Sequence, residues 1–536
     1  MDYHIKELDY QKYIDEFKVS PLLAKVLAFF DFDSGQLDQI FSDPKPESLT
    51  DNQNLARVKQ RLDLAKANNE KVFVFGDYDA DGICSTTMMV SLLRQLCLTC
   101  GYYIPNRLTE GYGLNSVIVE KVKQKGYTLI ITVDNGVSAQ KAIALANSYQ
   151  IDVIICDHHI IKEDQKFTYL LHPTQFSESY QKLCGAGVVL QLALYLGFND
   201  DIYWLLAMAA TIGDMVELFD ANRYIVKRGL DIINKRSFLP INALLNATQE
   251  IDEELIAYKL IPALNTLGRL ADEANANVLV EYLLLKDDIT INNTAKQIMA
   301  LNDKRKTIVK KSDMELNANG YECANYNIYI SDKYHEGVIG LLANRMLQKY
   351  QKPILVGTNN NKEIKFSGRS INGFDIHLQL MKYDYLFNNF GGHKQACGFS
   401  IDQTKLPIFI ELLKKETNII DNDLCVEVIK LDLEDLSMES IEELNCLRPY
   451  GTGIKQPLFT LGDIAVDKYE LIKGKYPKAM IINQKDRINV ISFRTLKKEM
   501  CTDNKLNDIV GKLSINKFQN HKSINIIVED IMYFNY

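Results

Sequence analysis

Asp77, Asp79 and Asp81 stand two apart in GDYDADG, residues 76–82. On an extended chain, side chains at that spacing point the same way, so three carboxylates converge. Like charges held together repel unless a cation sits among them, and a divalent metal is the simplest such partner. The competing reading is local: Asp81 alone could cap a following helix. Further acids and imidazoles recur down the chain, as Asp134 in VDNG, Asp157-His158-His159 in CDHH, and Asp214 in IGDM. Asp79, Asp81, Asp134, His158 and Asp214 make an oxygen-rich donor set with one imidazole. An all-oxygen set suits magnesium and a Cys/His set zinc, whereas several carboxylates with one His suit manganese, with magnesium also accepted. The carboxylates exceed the needs of one ion, so two are expected, with the centrally placed Asp134 bridging. A metal pair activates water and clamps phosphoryl oxygens. The reaction class is therefore phosphoester or phosphoanhydride hydrolysis.

The elements that must position these groups follow one rhythm. Val72 to Phe75 is an apolar run closed by Gly76, which reads as a buried strand, and Ile83 through Leu98 reads as the helix after it. YTLIITV (127–133) and IDVIIC (151–156) are further apolar strands, with a crossover helix over 138–149 between them. Strand, helix, strand at this spacing predicts a doubly wound parallel sheet, whose ligand site lies outside the carboxyl ends of its strands. Each of the three strands ends in an acid. An apolar helix over 204–213 delivers Asp214 to the same place.

The remaining chain divides into an N-terminal helical segment (1–50), a catalytic domain (51–280), a connecting helix (281–319), a second, smaller α/β domain (320–418) and a C-terminal antiparallel β domain, plausibly a barrel (419–536). The basic patch Lys304, Arg305, Lys306, Lys310 and Lys311 reads as a solvated face of the connector. With 536 residues and a net charge of −8, the chain is no polycation. Residues 455–536, however, carry 14 Lys and Arg against 9 Asp and Glu, a bias that suits a module meeting a polyanion. No apolar run reaches the ~18 residues of a membrane span, and MDYHIKELDY lacks the features of a signal peptide. A cytoplasmic location with no membrane partner is expected. The ten cysteines are scattered, which suits reduced thiols. Cys97 and Cys100, a lone CxxC within a helical pattern, lack the second pair that zinc would need.

GDYDADG, VDNG, DHH and GDMVEL, in this order, resemble the four motifs of the DHH phosphoesterase superfamily, and FSGRS (366–370) with GGHKQACGFS (391–400) resembles its associated substrate-binding domain. PNRLTEGYG (105–113), CGAGV (184–188), LNTLGRL (264–270) and YHEGVIG (334–340) are similar to the RecJ branch, the 5′ exonucleases specific for single-stranded DNA. The resemblance implies Asp79, Asp81, Asp134, His158 and Asp214 as metal ligands. Asp77 and Asp157 stand as close acids beside them, and His159 as a supporting or phosphate-facing group. His159 would either protonate the leaving oxygen or hold a neighbouring acid. Arg107, Arg269 and Arg369 become the phosphate readers, since arginine's fork pairs with phosphate oxygens. Ser367 joins them, and Gly391-Gly392-His393 offers backbone N–H groups without a Cβ in the way.

The C-terminal domain resembles an OB-fold, although YGTGIKQPLF (450–459) departs from the family's G-N-P type string. There Tyr469, Tyr476, Phe493 and Phe518, beside Lys473, Lys475, Lys497 and Lys517, are either stacking platforms for bases or barrel core. The implied activity is release of 5′-mononucleotides from the 5′ end of single-stranded DNA in repair and recombination, with two metal ions, manganese preferred and magnesium possible. Partners would extend to a single-strand-binding protein and a helicase. The alternative within the superfamily is a phosphodiesterase for cyclic dinucleotides or short oligoribonucleotides.

Overall fold

The computed structural model describes residues 2–162, 165–235, 238–315, 320–323, 325–359, 363–416, 425–483, 486–494, 499–518 and 521–532. The chain forms two compact units, one of Glu47–Val216 with Ile225–Asp421, the other of Met1–Pro46, Glu217–Tyr224 and Asn422–Tyr536.

In the first unit, five parallel strands lie in the order Thr99–Tyr103, Lys71–Phe75, Leu129–Val133, Asp152–Cys156, Tyr169–Leu171. Phe75 is level with Thr132, and Val133 with Cys156. The three acid-bearing loops therefore leave the sheet at one level. The central strands are apolar on both faces because helices cover both, as expected for a doubly wound sheet. The helix after the first acidic loop runs Ala80–Gln95, earlier than its apolar pattern suggests, because Asp79 caps it. It is nearly all buried, packed by the helices Gly185–Tyr195 and Asp201–Gly213. Cys97 lies beyond its end with φ 61° and Cys100 lies in the strand Thr99–Tyr103, so the CxxC pair is not helical.

The same unit holds a six-stranded mixed sheet, in the order Phe387–His393, Ala396–Asp402, Glu363–Arg369, Ile354–Asn359, Asn327–Ser331, Gly320–Glu322, in which only the Asn327–Ser331 and Ile354–Asn359 pair is parallel. The long helix spans Asp288–Glu315. It is not solvated all round: Ile291, Ala295, Ile298, Asn302, Arg305, Val309 and Ser312 form one buried stripe at alternating steps of four and three. Arg305 thus belongs to the interior, not to the basic face read from the sequence.

The second unit carries an eight-stranded sheet. The pairings among Lys468–Ile472, Tyr476–Asn483 and Asp486–Ile491, and between Ile509–Phe518 and His521–Ile531, are antiparallel as expected. Parallel pairs join Asp2–Ile5 to Cys425–Lys430, Cys425–Lys430 to Phe459–Leu461, and Asp486–Ile491 to His521–Ile531. The N-terminal segment is therefore part of this fold. Leu22, Leu23 and Leu27 of its helix Pro21–Phe30 share a core with Ile429, Ile481 and Ile526. Buried Lys25 pairs with Asp432 at 2.6 Å and Asp435 at 2.5 Å.

Candidate metal and phosphate site

Gly76 and Gly82 make the acidic loop possible. A Cβ at Gly76 would collide with Thr86 Oγ1, and one at Gly82 with the Asp77 carbonyl oxygen. The chain can turn this tightly only with glycine at both places. Asp79 accepts from the Gly82 N–H at 3.0 Å. Asp81 sits in the first helical turn and faces the N-terminus of Gly185–Tyr195, accepting from Gly185 N–H at 2.6 Å and Ala186 N–H at 2.7 Å. That helix end favours a negative charge there. Asp134 takes the left-handed conformation, φ 57°, which Asp tolerates better than most residues.

These groups meet. His158 Nε2 lies 3.1 Å from Asp134 Oδ1 and 3.7 Å from Asp81 Oδ2, and its Nδ1 lies 3.7 Å from Asp214 Oδ2. Among the described residues, three sets have ligand atoms all within 4.8 Å of one another: Asp77-Asp79-Asp134, Asp81-His158-Asp214 and Asp134-His158-His159. Asp134 belongs to two of them, and so does His158.

The charge state fits a cation. Burial, and then Asp79, raises Asp77 well above the ordinary carboxylate range. Burial with Asp81, Asp79 and Asp77 does the same to Asp134. Asp81 is pushed up to about 6 by burial and Asp79, and Asp214 to about 8 by burial, Asp81 and Asp79. Burial and the neighbouring His159 lower His158 to about 4, so its imidazole is neutral and free to ligate. Asp77 Oδ1 is buried without a hydrogen-bond partner among the described residues. A hard divalent ion such as Mn2+ or Mg2+ suits this donor set and would satisfy that oxygen.

Asp157 has a different task. Its Oδ2 accepts from Val137 N–H at 2.9 Å, and its Oδ1 from His158 N–H at 2.7 Å and His159 N–H at 3.1 Å, while His159 Nδ1 lies 2.8 Å away. Burial opposes its charge, but these bonds bring it down to about 2. It ties the VDNG turn to the DHH turn and fixes the His159 ring. His159 resists its own burial through Asp157, which raises its pKa. The Tyr112 hydroxyl lies 3.2 Å from His159 Nδ1 and donates to the Asp134 carbonyl at 3.1 Å.

Beside the acids lies a basic region. Arg269 ends the helix Ile261–Arg269, whose Asn265 accepts from Ala80 N–H at 2.8 Å and whose Gly268 leaves room for the Tyr78 carbonyl. Burial, then Arg107, Arg305 and Arg369, lowers Arg269 to about 9. Arg369 is lowered by burial and by Arg107, and its Nη1 donates to Ser367 Oγ at 3.1 Å and the Gly368 carbonyl at 2.8 Å. Arg107 lies over the Tyr78 ring, 5.1 Å from its centre. Among the described residues no acid pairs with Arg107, Arg269 or Arg369. Arg269 and Arg369 are half-buried and Arg107 is exposed, and clustered guanidinium groups that lack a carboxylate favour an anion among them.

Family descriptions match three stretches: DHH family, N-terminal domain, over residues 71–213, the DHHA1 domain over 324–418, and the RecJ OB domain over 429–530. A protein of Bacillus subtilis (strain 168) named single-stranded-DNA-specific exonuclease RecJ is 30% identical across 96% of this chain and 68% of its own length. The namesake of Salmonella typhimurium is also 30% identical, over 86% of this chain and 87% of its own. The chain belongs to the RecJ family. The crystal structure of RecJ in complex with Mn2+ from Thermus thermophilus shares the fold, with a TM-score of 0.83 and 23% identity over 100% of this chain and 80% of that one. A crystal structure of exonuclease RecJ bound to manganese is 26% identical, with a TM-score of 0.59, over 69% of this chain and 94% of that one.

Not every residue singled out from the sequence sits as expected. Gly391, Gly392 and His393 lie in the edge strand Phe387–His393, whose backbone pairs with Ala396–Asp402. Gly392 is required there because a Cβ would collide with the Ala396 carbonyl oxygen. His393 still reaches the site electrostatically, lowering His158. In the OB-bearing unit, Tyr469 and Phe493 are 49% and 55% exposed, which removes them from the core. Tyr476 packs against Phe493 at 5.7 Å with Lys475 over its ring. Lys473 turns the chain with φ 53° beside them. Lys497 and the side chains of Lys517 and Phe518 lie outside the described residues. The structure adds Tyr112 and Asn265 to the site and moves Arg305 from a basic face to the interior. The first two lie within the RecJ-like strings PNRLTEGYG and LNTLGRL, the only signal for them, and Arg305 was hidden among lysines.

Proposed function

We propose that this chain is a metal-dependent exonuclease that removes 5′-mononucleotides from the 5′ end of single-stranded DNA, serving repair and recombination. The RecJ relatives named above support the substrate and the reaction. The observation that carries the reading is the meeting of Asp77, Asp79, Asp81, Asp134, His158 and Asp214 beside three acid-free arginines.

Two divalent ions fit the donor set: Asp77, Asp79 and Asp134 would hold one and Asp81, His158 and Asp214 the other, with Asp134, 3.1 Å from His158, near enough to serve both. When bound, such ions lower the pKa of water and neutralise phosphoryl oxygens. Manganese supports turnover at least as well as magnesium in this reading, because an imidazole is among the ligands. The protein's own groups do the rest. Arg269 and Arg369, with Ser367, hold the 5′ phosphate, and Arg107 the strand near it, so that the next phosphorus lies over the acids. His159, whose pKa Asp157 raises against its burial, is placed to give a proton to the departing 3′ oxygen.

In the OB-bearing unit, the exposed Tyr469 and Phe493 supply faces on which bases of the longer strand stack. A single-strand-binding protein and a helicase are the expected protein partners, and the cytoplasm the expected location. No described helix is long and apolar enough to cross a membrane. Digestion of end-labelled single strands with Mn2+ tests the reading: shortening from the 5′ end is expected. Shortening from the 3′ end, or cleavage only of two- to five-nucleotide substrates, would refute it.

A further inference from the structure

The segment Tyr334–Gly340 touches both sides of the arginine site. His335 Nδ1 accepts from Gly337 N–H at 3.0 Å, which leaves the ring proton on Nε2 to donate to Asp272, 3.1 Å from Oδ1 and 3.2 Å from Oδ2. Asp272 follows three residues after Arg269. Gly337 packs so tightly on that loop that a Cβ would collide with the Arg269 carbonyl oxygen. On the other side, Glu336 pairs with Lys365 at 2.7 Å, two residues before Ser367 on the same strand. A Cβ at Gly340 would lie 3.2 Å from Arg369 Nη2 and 3.3 Å from Ser367 Oγ. Seven residues thus grip the loop that carries Arg269 and the strand that carries Ser367 and Arg369.

These two arginines come from different sheets' surroundings, and each repels the other. Ser367 and Gly368 hold Arg369 on its own strand, but those bonds do not set its distance from Arg269, and two half-buried cations without an anion push apart. We propose that this segment is a bracket that sets the distance between Arg269 and Arg369, with His335 and Asp272 as its clasp, and so selects a terminal phosphomonoester. The proposal rests on the phosphate reading of these arginines. His335 and Asp272 are positioning residues that touch no substrate. A phosphomonoester offers several oxygens to two guanidinium forks at once, but only when the forks are held at its width. Releasing the clasp therefore weakens recognition of the terminal phosphate more than it affects metal binding.

The test compares His335→Ala, Asp272→Ala and the double variant with the wild-type protein. Single strands of equal length bearing a 5′ phosphate or a 5′ hydroxyl give the ratio of kcat/KM, and thymidine 5′-monophosphate gives an inhibition constant. Each single variant should lose about tenfold of the wild-type preference, through KM, and bind the nucleotide correspondingly more weakly. The double variant should lose no more than either alone, since the two residues act through one contact. His335→Gln, which keeps an N–H within reach of Asp272, should restore part of the preference. Mn2+ affinity and melting temperature report whether each variant is folded. Variants that are folded yet keep the wild-type preference, or whose losses add, overturn the bracket. If the wild-type protein itself ignores the 5′ phosphate, the arginine reading falls first and the bracket with it.

Discussion

The Gly185 amide donates to Asp81 Oδ2 at 2.6 Å, and its Cα passes so close to Asp134 that a Cβ would sit 2.8 Å from the Asp134 Cβ. Two acids that leave different strands are thus set against each other by one glycine at a helix N-terminus. This contact explains the CGAGV string in physical terms. Only a residue without a side chain lets the helix amides reach Asp81 while Asp134 stands beside it.

Gly185→Ala should therefore separate Asp81 from Asp134 without touching any ligand. Supporting contacts of this kind commonly control metal affinity by about 10–100-fold. A loss in that range, measured by Mn2+ titration, is expected, with hydrolysis falling in step. Wild-type affinity in the variant would show that the contact is incidental.

The acids also make a prediction about pH. Unfolded carboxyl groups titrate near ~4, whereas in the folded protein Asp81 is raised to about 6 by burial and Asp79, and Asp214 to about 8 by burial, Asp81 and Asp79. Between these values the folded state holds protons that the unfolded state has released, so the cluster lowers stability as pH rises through this window. In chelator, wild type should lose melting temperature between pH 5 and pH 8 relative to Asp214→Asn, whose amide does not titrate. A gap that narrows toward pH 8 would contradict the shifts.

Arg369→Lys keeps a charge and removes the fork. Paired hydrogen bonds to a phosphate are lost, so KM for 5′-phosphorylated strands should rise about tenfold, corresponding to ~1.4 kcal/mol, with kcat changed little. Steady-state kinetics on such strands measure this. An unchanged KM would mean that Arg369 is structural, through its bonds to Ser367 and Gly368.

Tyr469→Ala with Phe493→Ala should weaken binding of long single strands, since aromatic platforms contribute about 1–3 kcal/mol per stacked base. The salt dependence should stay the same, because no phosphate contact is removed. Fluorescence anisotropy across a salt series reports both. A changed slope would assign the effect to charge.

Much of this site was legible in the chain because each acid follows a short, continuous apolar strand. Val72–Phe75, Leu129–Val133 and Asp152–Cys156 announce themselves, and a doubly wound sheet then fixes where their ends lie. The edge strands Thr99–Tyr103 and Tyr169–Leu171 did not, being short or half-exposed. Arg305 was misread for a different reason. Its buried stripe is apolar at Ile291, Ala295, Ile298 and Val309, but Asn302 and Ser312 break that period on either side of Arg305. Its guanidinium is held by Asn302, at 3.1 and 2.9 Å, and not by an acid that sequence could have paired with it. The N-terminal segment was opaque because its partners, Cys425–Lys430 and the core around Ile429, lie some four hundred residues away.

The central claim is that Asp134 is shared between two divalent ions. Mn2+ titration by calorimetry, on the wild-type chain and on Asp134→Ala, tests it most directly. The account predicts two bound ions for wild type, loss of tight binding in the variant, and abolished hydrolysis with single-strand binding retained. One ion in wild type, or a variant that still binds two and turns over normally, would contradict it.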